Sequence, residues 1–459
     1  MIKTDLKEYA ELLGGYSELR LHENRNTNVM LMNGNLVGNE NSSSGGLSAR
    51  VYKNGAWGFA SSPGAELDTA KKVMAAASRN ADFLDSRLKK GLPPLPAMAA
   101  HGIYDLSTKK PRRSQKELVD FISEIDGYIA SKYKGLKGRR VLIKNLDMEK
   151  AFLNSYGSSF YSVTPRSVLM VFLFAEKDGA VVDHWEDVSS VGHFEDVFTE
   201  PSALFNWVDG VYERLMQKVS GIYPEAGHKE CILDASLAGI LAHEAVGHTT
   251  EADLVLGGSV AGALMGKPVA SSMVNLTDFA HTAFGKPCHI PIYVDDEGVE
   301  AKDAVIIKDG VLTSYMHNRE SAVHYGAAPT GNARASEFSD EPIIRMRNTA
   351  ILPGTDRLED MVASVDDGYY LAGWTNGQAD ATSEFTFGVK SGYEIKNGKF
   401  ARSLRGATVS GVAFDLLKTV TMLSSEMNWS ALGMCGKKQS IPAAMGGPAV
   451  KCVMNIGGR

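Results

Sequence analysis

Cysteine is scarce in this sequence. Four residues in 459, at positions 231, 288, 435 and 452, are too few and too scattered for a disulfide framework, which points to a reducing, cytoplasmic setting. Long apolar runs are also missing. The longest, Val168 to Ala175, falls far short of the roughly 20 residues that a membrane-crossing helix needs, so it reads as a buried strand. No run of five or more like charges appears, which excludes a basic or acidic tail. The formal net charge is −6, so the chain has no general attraction to nucleic acid or to an anionic membrane. Charges interrupt residues 1–13 throughout. That stretch lacks the apolar core of a signal peptide and reads as a short amphipathic helix capped by Thr4.

What is present is a globular composition, 44% hydrophobic and 22% charged, which excludes disorder as the default. A single core rarely grows past about 250 to 300 residues, so more than one domain is expected. The Asn-Gly and Asp-Gly pairs at 33–34, 54–55, 178–179, 309–310 and 397–398, which lie between strand-like runs, predict tight hairpins, because both residue types tolerate positive φ. Helices are predicted over 68–85 and from a capping box at Ser114 and Glu117, with Leu118, Phe121, Ile122, Ile125 and Ile129 on one face. A further helix is expected over about 203–219. Separate strands are expected at 141–143, 151–154, 160–163, 168–175 and 181–185. The linker Gly221–Gly227 marks a boundary. The resulting reading is an α+β chain. A mixed α/β N-terminal domain (1–222) precedes a β-rich C-terminal domain (223–459) that carries the chemistry, with one more helix near 412–427.

That chemistry lies in the segment from Cys231 to Asp253. Cys231–Leu233 reads as a strand, Asp234 or Ser236 as an N-cap, and Leu237, Ile240 and Leu241 as the buried stripe of a helix delivering His243 and Glu244. The familiar zinc-peptidase signature spaces two histidines four residues apart on one helix face. Here His243 and His248 are five apart. At about 100° per residue the two rings would diverge by about 140° on a regular helix. Either the helix ends near Gly247 or it contains a wider i to i+5 turn. Imidazole is a good zinc ligand, a catalytic zinc takes three protein donors plus a water, and a carboxylate beside a ligand can move that water's proton. Glu251 is placed to orient His248 or to act as a ligand itself. The third donor stays open among Cys435, the pair Cys288-His289, His281, His317 and Glu251. Gly433 and Gly436 flank Cys435 and would let backbone approach a metal, and Lys437 would help hold a thiolate. Asp295-Asp296-Glu297 resembles a hard-metal cluster, but Gly298 makes a turn the better reading.

Several ordered blocks carry a resemblance that runs along nearly the whole chain. They include Ala56–Ser61, Leu233–Gly239 with the His-Glu motif, Asp295–Val299, Thr330–Arg334, Leu352-Pro-Gly354, Phe385–Gly388, Arg405–Thr408 and the Cys435 segment. The sequence resembles the TldD/PmbA family of metallopeptidases, TldD-type (catalytic) branch. The resemblance implies that His243, His248 and Cys435 hold one zinc per catalytic chain and that Glu244 is the catalytic base. It implies hydrolysis of flexible or unfolded peptides, including leader-peptide trimming, within a homodimer or a heterodimer with a PmbA-like chain. Thr330, Gly331, Asn332 and Arg334 would line the peptide cleft, with substrate added as a β-strand. A rival reading is a non-catalytic peptide-binding or regulatory subunit with a structural metal site. A second rival, a modulator of a DNA-processing enzyme, sits poorly with the acidic balance. Lys438 departs from the family pattern, which has Gly before the following Gln.

Overall fold

The computed structural model describes Ile2 and residues 5–457. Two large sheets dominate it. The first has seven strands: β1 (Tyr16–Met32), β2 (Asn35–Lys53), β3 (Ala56–Pro63), β4 (His101–Asp105), β5 (Gly138–Asn154), β6 (Ser159–Lys177) and β7 (Ala180–Val191). Their order is β3-β2-β1-β5-β6-β4, with β7 also on β6. All pairings are antiparallel except β4 with β6. Helix α1 (Leu67–Leu88) covers the β2–β3 side and buries Val73, Met74 and Ala77. Helix α2 (Gln115–Lys132) begins with the predicted capping box and buries the predicted stripe. It shares a core with the helix Phe205–Ser220. All five hairpin pairs turn with positive φ at both residues, 48° to 55° at Asn or Asp and 71° to 92° at Gly.

Some expectations need correction. The strands expected at 141–143 and 151–154 are one strand, β5, and those at 160–163 and 168–175 are one strand, β6. The polar stretch 144–150 that seemed to divide β5 is polar because its side chains meet other charges. Asp147 pairs with Arg112, Glu149 with Arg25 and Lys150 with Asp296. The helix expected near 412–427 shrinks to Ala413–Lys418, and Met422–Ser430 is a strand on the second sheet. Near the start, a 3₁₀ helix spans Leu6–Leu12 and its cap is Asp5; Thr4, the expected cap, lies outside the described residues.

The second sheet contains a closed barrel. Strand β8 (Gly227–Leu233) pairs in parallel with Asp367–Ala379, which pairs antiparallel with Glu384–Lys396, then Ala407–Val412, then Ala444–Gly457. The last of these returns to β8, antiparallel, and closes the ring. Asn348–Ile351, Leu276–Phe279, Ala304–Lys308 and Val311–Leu312 extend the sheet beyond it. The largest apolar core fills this half and includes Leu237, Ile240, Leu241, Phe385, Phe387 and Cys435. No helix among the described residues is long and apolar enough to cross a membrane.

Candidate metal centre

The helix that carries the motif starts directly after barrel strand β8. Asp234 caps it, accepting from the Leu237 amide at 2.8 Å, and accepts from Gly373 N of the neighbouring barrel strand at 3.1 Å. Helix and barrel are therefore fixed by one carboxylate. Burial pushes that carboxyl up to about 6, against the pull of these amides. The helix also sits very close to the barrel wall, where an added Cβ at Gly239 would meet Gly446 N at 3.0 Å.

Ala235–Ile240 is α-helical and Leu241–Gly247 is a π-helix. The His248 amide donates to the His243 carbonyl, so the i to i+5 bond spans the two histidines themselves. Of the two geometries open from the sequence, the wide turn is the one formed. Hydroxyls take up the carbonyls that the wide turn releases. Thr250 Oγ1 donates to Val246 O at 2.9 Å and Gly247 O at 3.0 Å, and Ser383 Oγ donates to Ala245 O at 2.9 Å. Gly247 is required sterically, because a Cβ there would come within 2.0 Å of Met346 Sδ.

The wide turn brings the rings together, with centroids 5.3 Å apart and planes at 81°. Cys435 joins them from a hairpin formed by Met434–Lys437 and Gln439–Pro442. Its Sγ lies 3.4 Å from His248 Nε2, and ligand atoms of His243, His248 and Cys435 all fall within 4.8 Å of one another. Nitrogen and sulfur donors on one tetrahedral zinc sit about 3.6 Å apart, from bond lengths of about 2.1 and 2.3 Å. The donor set therefore fits such an ion. A second observation agrees: both ring nitrogens of His243 are shut off from solvent and have no hydrogen-bond partner, an expensive state for polar atoms unless something binds them.

The other candidate donors lie elsewhere. Cys288 is packed with Phe279, Ala283 and Ala350, His289 lies near Trp429, His281 stacks on Tyr293, and His317 Nδ1 contacts Ser321 Oγ at 3.1 Å. Glu251 is fully buried and its Oε2 lies 2.8 Å from His248 Nδ1, which leaves Nε2 facing the sulfur. Burial opposes charge on His248, but the Glu251 carboxylate and Cys435 hold its pKa well above the ordinary value. Burial would raise the Cys435 thiol, yet the two imidazoles hold it well below the usual range. The site is thus arranged for a thiolate. Lys437 does not contact the sulfur; it pairs with Glu251 at 3.2 Å and Asp253 at 3.0 Å. Glu244 is partly exposed, with Oε2 3.7 Å from His248 Nε2.

Arg345 escaped the sequence reading. Fully buried, it donates to the Cys435 carbonyl and, at 2.7 Å, to the Gln439 carbonyl, clamping both arms of the thiol hairpin. Nothing in the local sequence marks it, because its partners lie about 90 residues away. Lys438 turns the hairpin at φ 59°, a left-handed position that favours glycine. Of the flanking glycines, Gly433 is pressed against Ala443 O, whereas Gly436 has open space.

The four cleft residues are bound into the fold to different degrees. Asn332 is fully buried and donates to Asp278 and the Arg345 carbonyl. Gly331 turns at φ 74° against Ala301, and Thr330 Oγ1 bonds Asn332 and the His317 backbone. Arg334 is also buried. It donates to Met346 O and Pro442 O and lines a cleft beside the thiol hairpin.

Comparison with known proteins places these features. Residues 226–458 match the PmbA/TldA metallopeptidase C-terminal domain, and residues 17–81 match the PmbA/TldA metallopeptidase domain 1. A metalloprotease of Archaeoglobus fulgidus is 30% identical, over 96% of this chain and 99% of its own length. The zinc metalloprotease TldD homolog of Saccharolobus solfataricus is 29% identical, over 76% of this chain and 78% of its own. The crystal structure of TldE from Thermococcus kodakarensis shares the fold, with a TM-score of 0.72 at 18% identity over 97% of this chain and 98% of that one.

Proposed function

The chain belongs to the PmbA/TldD metallopeptidase family and is a peptidase, and on that premise we propose that it is the catalytic, TldD-type member of such an enzyme, with zinc held by His243, His248 and Cys435. The observation that carries the proposal is the convergence of two imidazoles and the Cys435 sulfur, with both ring nitrogens of His243 lacking a hydrogen-bond partner. Zinc is favoured over other common divalent ions by the thiolate donor.

When bound, the ion makes water acidic near neutral pH and polarises the scissile carbonyl. The remaining steps belong to side chains. Glu244, partly exposed beside His248, takes the proton of the attacking water and returns it to the leaving amine. Glu251 holds His248 by Nδ1, which would leave Nε2 as the nitrogen available to hold the metal. Lys437 keeps the Glu251 carboxylate ionised, together with His248 and against the effect of burial. Three donors rather than four support a catalytic over a closed structural centre, which favours a peptidase over a regulatory subunit.

The proposed substrate is a flexible peptide bound through its main chain, and the working assembly is a cytoplasmic dimer of family chains. Residues 1–222 and 223–459 act as the two domains. Arg334 is the strongest of the four cleft residues for substrate contact, since it alone of them lines the cleft beside the thiol hairpin. The deciding experiment pairs metal analysis with cleavage of an unstructured peptide, run on the chain alone and with a PmbA-type partner. Glu244→Gln should keep about one equivalent of metal and lose activity by about 10²- to 10⁴-fold. Full turnover by that metal-loaded variant would overturn the assignment.

A further inference from the structure

Beside the thiol hairpin, a cleft opens between the middle of β5 and β6 and the segment 289–296, with Arg334 and Pro442 on its wall. Its volume open to water-sized groups is about 50 Å³. Met148, Phe160, Ile292 and Tyr293 give it apolar and aromatic surfaces. Its acids are already satisfied. Asp296 accepts from Lys150 Nζ and Ala335 N, and Asp295 accepts from the amides of Glu297, Val299 and Ala333.

Arg166 is not satisfied. It sits on β6 opposite Leu146 of β5 and Val191 of β7 and is only 7% exposed. Its Nε and Nη2 are shut off from solvent without a hydrogen-bond partner. His289 lines the same cleft, and its Nδ1 is buried and unpartnered too. Both side chains line the one cleft, and after burial the Arg166 charge is what lowers the His289 pKa. The Asp187 carboxylate also acts on Arg166, but it is engaged with Ser189 Oγ at 2.7 Å. A buried guanidinium and an imidazole thus line one cleft with Arg166 Nε and Nη2 and His289 Nδ1 left without a hydrogen-bond partner, a costly arrangement for a fold to keep.

We propose that Arg166 and His289 form a carboxylate-binding site that takes the C-terminal carboxylate of a peptide, with the side chain of that last residue against the aromatic wall. A guanidinium fork matches a carboxylate in two parallel bonds. The apolar surroundings suit a carboxylate attached beside an apolar side chain better than an acidic side chain. Arg334, which binds the carbonyl of Pro442 at the end of the thiol hairpin, links this cleft to the metal centre. The identity of the ligand as a substrate or product end rests on the peptidase reading; the site itself does not.

The test is equilibrium binding to the metal-loaded full chain, followed by heat release, with three probes: N-acetyl-phenylalanine, its amide, and the α-amide of N-acetyl-glutamate, in which only the side-chain acid remains. The free terminal acid should bind roughly tenfold or more tightly than the amide, and Arg166→Gln should abolish that preference. Arg166→Met should lose acid binding while Tm rises, because an unpartnered buried charge is removed; a purely structural arginine would give a fall in Tm. His289→Gln, a milder change, should weaken acid binding in the same direction. Equal binding of acid and amide, unchanged acid binding in the variants, or a lower Tm in Arg166→Met would overturn the site. Tighter binding of the side-chain acid would overturn its assignment to a chain terminus. No turnover is read, so failure here is separate from failure of the Glu244 experiment.

Discussion

At the scale of single residues, the centre depends on which nitrogen of each imidazole is free. His248 is committed by Glu251, which is fully buried and 2.8 Å from Nδ1. Removing a carboxylate behind a metal-binding histidine usually costs 10- to 100-fold in affinity. Glu251→Gln, which keeps the shape but not the charge, should therefore weaken zinc binding by about that factor, measured by competition with a chromophoric chelator. Unchanged affinity would mean that the carboxylate only fills space. Glu251 was legible as a partner of His248 because the spacing of three places them on one helical turn. Local sequence offered Cys435 its flanking glycines and Lys437 but left the third donor open, and only the family resemblance singled it out from Cys288. Only the tertiary structure puts one sulfur 3.4 Å from an imidazole and the other in an apolar cluster.

At the scale of elements, the five-residue spacing of the histidines already implied a distorted helix, and Gly247 marked its place. What the sequence did not carry was the reason for glycine: Met346, almost 100 residues further on, occupies the space a side chain would need. Gly247→Ala should cost about 1–3 kcal/mol by overpacking, measured by urea unfolding, and should loosen metal binding by displacing His248. Adding Met346→Ala should recover part of both losses; no recovery would mean that the glycine serves the backbone alone. The five Asn-Gly and Asp-Gly hairpins were legible, because those pairs act through their own φ preferences; the hairpin that carries Cys435, turning at Lys438, was not. Long strands were not, since β5 carries a polar middle whose partners come from distant segments.

For the whole molecule, buried charge joins the first sheet to the C-terminal half. Lys150 of β5 meets Asp296 at 2.6 Å, and Arg50 of β2 meets Glu297 at 2.9 Å. Burial alone would raise Asp296, but Lys150 and Arg20 hold it down to about 2. A carboxyl with a depressed native pKa stabilises the fold fully above the ordinary value near 4 and loses that contribution as pH falls toward about 2. The urea midpoint of the wild type should therefore drop across that window. Asp296→Asn, already weaker by roughly 3–5 kcal/mol because Lys150 is left unpaired, should show a flatter profile there. A parallel decline in both proteins would assign the acid sensitivity to other groups.

The barrel closes through Ala444–Gly457, which pairs with β8 on one side and Ala407–Val412 on the other, and Cys435 arrives just ahead of that strand. The thiolate follows His248 by 187 positions. During translation a nascent chain thus displays both imidazoles long before the sulfur leaves the ribosome. Vectorial synthesis thus withholds the third donor of the proposed centre until the ring can shut, so an unfinished polypeptide would lack that centre.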